Sequence, residues 1–101
     1  MYQYRATVER WVDGDTVDLI VDLGFNMTTK QRFRLLDIDT PERGQVNYDV
    51  ARRCAESIHP AGSSLEITSI KSVDKYGRYL VKLPKVEAAL RLHGLIKGRT
   101  L

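Results

Sequence analysis

Apolar residues at every second position open the chain. Tyr4, Ala6 and Val8 alternate with Arg5, Thr7 and Glu9, the pattern of a half-buried strand. Asp13-Gly14-Asp15 is a turn signal. After it Val17, Leu19 and Val21 alternate with Asp18, Ile20 and Asp22, predicting a second strand. Gly24–Thr29 reads as a loop and Gln31–Ile38 as a third strand, which Pro41 cannot continue because it has no amide donor. The period then changes: Val46, Val50, Ala51, Cys54 and Ile58 recur at helical spacing, with Asn47 as N-cap and His59-Pro60 with Gly62 as the stop. Ser64–Ile70 and Tyr79–Leu83 read as two further strands around "DKYGR". Val86–His93 reads as a short helix that Gly94 terminates.

Three strands, a helix, two strands and a helix predict an α+β, mainly β fold. The expected architecture is a five-stranded antiparallel OB-fold barrel with two flanking helices, one domain over residues 1–101. Trp11 and Phe33 are expected inside the barrel. Cys54 has no second cysteine to pair with and falls on the apolar helix face, where it reads as core filler. The N-terminal stretch carries Arg5, Glu9 and Arg10 and no apolar signal-peptide core, and no run approaches the roughly 18 apolar residues of a membrane span. The expectation is a cytoplasmic protein with no membrane partner.

Charge is unevenly spread. Residues 1–50 hold six Lys and Arg against nine Asp and Glu, and residues 51–101 hold ten against four. An acidic half beside a basic half suits a protein that binds a cation and a polyanion together. The acid is concentrated where "RFRLLDIDTPE" (Arg32–Glu42) leaves its strand. Two readings are open there. Aspartates at strand ends are ordinary turn chemistry. Alternatively Asp15, Asp39 and Glu42, with the backbone carbonyl of Thr40, share a hard cation such as calcium or magnesium, which takes oxygen ligands. Arg34 favours the second reading. A guanidinium and a cation facing one space suit an anion that gains charge during reaction, as a phosphodiester does. Its planar fork also grips two phosphate oxygens. "DKYGR" supplies Arg78 beside Lys75 and Tyr76, groups able to contact a phosphate and the face of a sugar or base. Asp13 and Asp37 read as solvated turn acids, with support of the neighbouring acids as the alternative, and His59 and His93 read as surface or helix-end residues. Ser63 and Ser64 have no visible base partner, so serine catalysis finds no support.

"VDGDTV" (Val12–Val17), "RFRLLDIDTPE" and "DKYGRYLV" (Asp74–Val81) resemble, in order, the three signature blocks of the staphylococcal-nuclease (thermonuclease) family. The resemblance extends through the helix between them to the closing "EAALRLHGLIKG". It implies a calcium-dependent phosphodiesterase acting on DNA, RNA or both. By this resemblance Asp15, Asp39 and Thr40 are Ca2+ ligands, and Glu42 orients or deprotonates the attacking water. Arg34 and Arg78 bind the scissile phosphate, while Lys75 and Tyr76 contact nucleotide phosphate. Two departures stand out. "KGRT" (Lys97–Thr100) replaces tyrosines that pack on the nucleotide in the family, and the sequence stops at Leu101, short of a further C-terminal helix. A homodimer or partner chain covering that side is the matching expectation, with Leu92, Leu95, Ile96 and Leu101 as its apolar patch. The rival class is a non-catalytic nucleic-acid-binding or scaffold module on the same barrel.

Overall fold

The computed structural model describes residues 2–73 and 77–96, and for Tyr2 and residues 69–73 the backbone alone. The elements are β1 (Tyr2–Asp13), β2 (Thr16–Gly24), β3 (Met27–Leu35), α1 (Tyr48–Ile58), β4 (Ser64–Val73), β5 (Tyr79–Lys82) and α2 (Pro84–Leu92). The strands form one closed sheet in the order β1-β2-β3-β5-β4, with β4 returning to β1. Every strand thus has two neighbours, and no edge is left unpaired. The expectation of an entirely antiparallel barrel is corrected, because β3 and β5 run parallel. Geometry requires this. Strand directions alternate around an antiparallel ring, so an odd number of strands cannot close without one parallel pair. The long connection through α1 and β4 is what makes that pair accessible.

Alternation places Ala6, Val8, Val17, Leu19, Val21, Phe33, Leu35, Ile67 and Val81 in the core. Val8 and Trp11 are both buried although three residues apart. A register shift between Val8 and Arg10 supplies the extra residue that returns Trp11 to the inner face. Trp11 Nε1 then donates to the His59 carbonyl at 2.9 Å, tying β1 to the end of α1.

Several boundaries differ from expectation. The loop expected over Gly24–Thr29 is a tight hairpin, because Phe25 and Asn26 both take left-handed backbone (φ 55° and 61°) and let β3 begin at Met27. β3 ends at Leu35 rather than Ile38: Leu36 N still bonds Val81 O at 3.0 Å, and Asp37 then turns the chain with φ 60°. Asn47 precedes α1 in left-handed backbone, and its side chain makes no capping bond. The apolar stripe of α1 is also displaced. Ala51 and Ala55 are its fully buried residues, Cys54 and Ile58 pack at the margin of the core, and Val46 and Val50 are exposed. Small side chains let α1 approach the β1–β2 turn closely. Pro84 occupies the first turn of α2, where a missing amide costs nothing. Gly94 (φ 66°) ends that helix: its amide bonds Arg91 O, and the amide of buried Leu95 bonds Leu90 O at 2.9 Å. Of the expected C-terminal patch, Leu92 is exposed, Leu95 is buried, Ile96 packs against the core, and Leu101 lies outside the described residues.

The close approach of α1 sets a constraint at Gly14. A Cβ there would stand 2.9 Å from Ala51 Cβ and 2.9 Å from Thr40 Oγ1, and both neighbours are fully buried. Gly14→Ala is expected to lower unfolding free energy by about 1–3 kcal/mol through overpacking, read as a lower urea midpoint. A wild-type midpoint would mean that α1 or Thr40 gives way without cost.

Candidate active site

The site is assembled where the β1–β2 turn meets the end of β3. Leu35 N donates to Asp15 O at 2.8 Å, docking the turn against β3. Register places Thr16 beside Arg34, and Leu80 of β5 on Arg34's other side. Asp15 is only 4% exposed. Its Oδ1 accepts from Thr16 Oγ1 at 2.9 Å, and its Oδ2 accepts from the Thr40 amide at 2.9 Å. Arg34 bridges two carboxylates: Nη1 lies 3.4 Å from Asp15 Oδ2 and Nη2 lies 3.4 Å from Asp39 Oδ1. Nη1 also donates to the carbonyls of Leu35, at 3.2 Å, and Ile38. The end of β3 and the following turn are thus wrapped around the arginine they present.

Four of the sequence-predicted residues therefore converge: Asp15, Arg34, Asp39 and Thr40. Glu42 sits on the same connection, and its backbone is held by Gln45, whose side chain accepts from Glu42 N at 2.8 Å and whose amide donates to Glu42 O at 2.9 Å. Its side chain is exposed. Arg78 is half-buried, two residues before Leu80, the β5 residue that pairs with Arg34. Lys75 and Tyr76 lie outside the described residues, as do Lys97–Thr100.

The acids are differentiated by environment. Burial alone would raise Asp15, but hydrogen bonds with Asp13, the Thr40 amide and Thr16, and the charge of Arg34, hold it below the usual carboxylate range. Asp13 is pushed up to about 7 by burial, and by its hydrogen bond with Asp15 and that group's charge. Within this pair Asp15 is the stronger acid and Asp13 is the one that gives up its proton last. The expectation that Asp13 is a solvated turn acid is corrected: it is half-buried and its Oδ1 accepts from the Asp15 amide at 3.1 Å. Asp37 is exposed, as expected.

One charged residue escaped the sequence reading. Asp18 falls at an outward position of β2 yet is 8% exposed, because Arg10 and Arg32 both close over it. These guanidiniums hold its carboxyl below the ordinary range. The signal was hidden because it depends on pairing across three strands.

The chain is similar to a micrococcal nuclease. It is 40% identical over 77 residues to the micrococcal nuclease of Shigella flexneri, a match covering 76% of this chain and 40% of that protein. It is also 37% identical over 83 residues to protein ParB of Escherichia coli, covering 77% of this chain and again 40% of the relative. The chain thus spans about two fifths of the length of the curated relatives it matches. No family model matches it. Among the described residues, no three His, Cys, Asp or Glu side chains are grouped closely enough to hold a metal ion, and no helix is long and apolar enough to cross a membrane.

Proposed function

We propose that this chain is a calcium-dependent nuclease of the staphylococcal-nuclease type on an OB-fold barrel, hydrolysing phosphodiesters of DNA, RNA or both. The observation that carries this reading is the convergence of a buried ionised Asp15, Asp39 and Thr40 on the guanidinium of Arg34. The similarity to a micrococcal nuclease supports it.

The donor set suits the metal. Asp15, Asp39 and the Thr40 carbonyl offer hard oxygens of the kind calcium takes. Asp15 is kept charged, and the buried hydroxyl of Thr40 has no hydrogen-bond partner among the described residues, so polar capacity remains unused beside it. The two carboxylates already hold one cationic group between them. Bound there, calcium would polarise a phosphoryl oxygen as a Lewis acid.

The remaining work falls to the side chains. Arg34 is anchored through the Leu35 and Ile38 carbonyls and offers its fork to the phosphate, where negative charge grows in the five-coordinate state. Arg78 is the second guanidinium of that clamp. Glu42, exposed and on a pinned turn, takes a proton from the attacking water. The water oxygen forms the new bond to phosphorus while the bond to the departing sugar oxygen breaks, and that oxygen takes up a proton from solvent. Lys75 and Tyr76 contact the nucleotide's phosphate.

Chelation separates this reading from the binding module. Incubated with plasmid and RNA, the protein is expected to cut in calcium and to stop in EGTA. Magnesium-only cleavage would change the metal and keep the reaction. Calcium-independent, salt-sensitive binding without cleavage would instead identify a binding module.

A further inference from the structure

The outer face of the barrel carries a row of cations leading away from Arg34. Along β3 the buried Phe33 and Leu35 alternate with Arg34, Arg32 and Lys30, whose side chains are 22%, 46% and 63% exposed; Lys30 Nζ pairs with Glu9 Oε2 at 3.2 Å, which leaves two of its three donors open to solvent. Members of the row are two residues apart, about 6.8 Å along a strand, close to the separation of successive phosphates in an extended nucleic-acid strand. Register widens the row at its centre: Arg32 faces Asp18 on β2, and Asp18 faces Arg10 on β1.

That central rung holds more cation than its own neutralisation needs. Arg32 binds Asp18 through Nε at 2.8 Å and Nη2 at 3.2 Å, while Arg10 binds it through Nε alone at 3.2 Å. One carboxylate, 11% exposed, therefore lies beneath two guanidiniums whose side chains are 61% and 46% exposed. Asp18 orients both forks and cancels one charge. Both terminal nitrogens of Arg10, and Nη1 of Arg32, make no hydrogen bond to a carboxylate among the described residues. Two oriented guanidiniums with spare donors and a net positive charge form an anion seat.

We infer that Arg32, Arg10 and Lys30 continue the Arg34 site as a track for the phosphates of a single nucleic-acid strand on one side of the scissile bond. A straight row one side chain wide follows one extended backbone, whereas a duplex presents two curved ones. The inference rests on the nuclease reading for its direction, since Arg34 is where the track meets the chemistry.

The test is binding of a fluorescent single-stranded oligonucleotide in EDTA, followed by anisotropy over a salt series. The triple variant Arg10→Gln, Asp18→Asn, Arg32→Gln removes the cluster without leaving a buried charge unpaired. Lys30→Gln is a second, surface change that leaves Asp18 untouched. The triple variant is expected to bind about tenfold more weakly, and the salt slope to fall by about one for each phosphate that is no longer neutralised. With calcium present, wild-type KM should fall as the strand is lengthened, and this dependence should flatten in the triple variant. Folded variants that bind with wild-type affinity and slope overturn the track. Wild-type protein that binds the strand and cuts nothing overturns the hydrolase reading, while the comparison of affinities still decides the track.

Discussion

Arg34→Ala is expected to reduce kcat/KM on single-stranded DNA by at least about 10²-fold and to lower unfolding free energy by about 2 kcal/mol. The two losses have different origins. In the proposed mechanism activity falls because the guanidinium that stabilises the developing phosphorane charge is removed. Stability falls because Arg34 Nη1 neutralises Asp15, which is 4% exposed, and donates to the Leu35 and Ile38 carbonyls. Arg34→Lys separates these effects. A point charge can still offset Asp15, so much of the stability should return. It cannot reproduce the fork, so cleavage should stay low. Urea melts and initial rates on both variants supply the measurements. Full activity in either would make Arg34 an ordinary strand arginine paired with a carboxylate.

Glu42→Gln is expected to lower kcat by about 10²–10⁴-fold with stability changed by less than about 0.5 kcal/mol. The contrast with Arg34 comes from placement. Glu42 is exposed, and its backbone, not its carboxylate, makes the turn contacts with Gln45. The amide keeps the shape and removes the base, so a kinetic loss without a shifted urea midpoint isolates the proton-accepting role. Wild-type kcat in the variant would remove Glu42 from the chemistry and leave the phosphate clamp standing.

Much of the site was legible in local pattern. Asp-Gly-Asp before an alternating strand, and a strand ending in Asp-x-Asp-Thr-Pro, mark two turns that carry acid. The strand row of Arg34 marks a cation between them. What local pattern misjudged was solvation. Asp13 and Asp37 look alike in sequence, yet Asp13 is half-buried against Asp15 and Asp37 is exposed. Asp18 looks like any outward strand acid and is covered by two arginines from different strands. In α1 the helical period was correct and the face was displaced: Ala51 and Ala55 are buried, and Ala51 is the residue packed closely against Gly14. Valine satisfies a hydrophobic stripe equally well on paper, but it does not fit that contact.

Sequence alone determined the periods, the turns and the chemical kit, because each depends on residues within a few positions of one another. Alternation specifies a strand's two faces, glycine marks where helix α2 stops, and arginine with aspartate defines what chemistry is available. Tertiary structure decided which groups meet. Ring closure with five strands required one parallel pair, and the pairing of β3 with β5 set Leu80 beside Arg34. Docking of the β1–β2 turn on Leu35 buried Asp15 and left it ionised. Such outcomes arise from pairings between distant segments, where desolvation and Coulomb attraction are settled by the whole barrel and not by any one stretch of chain.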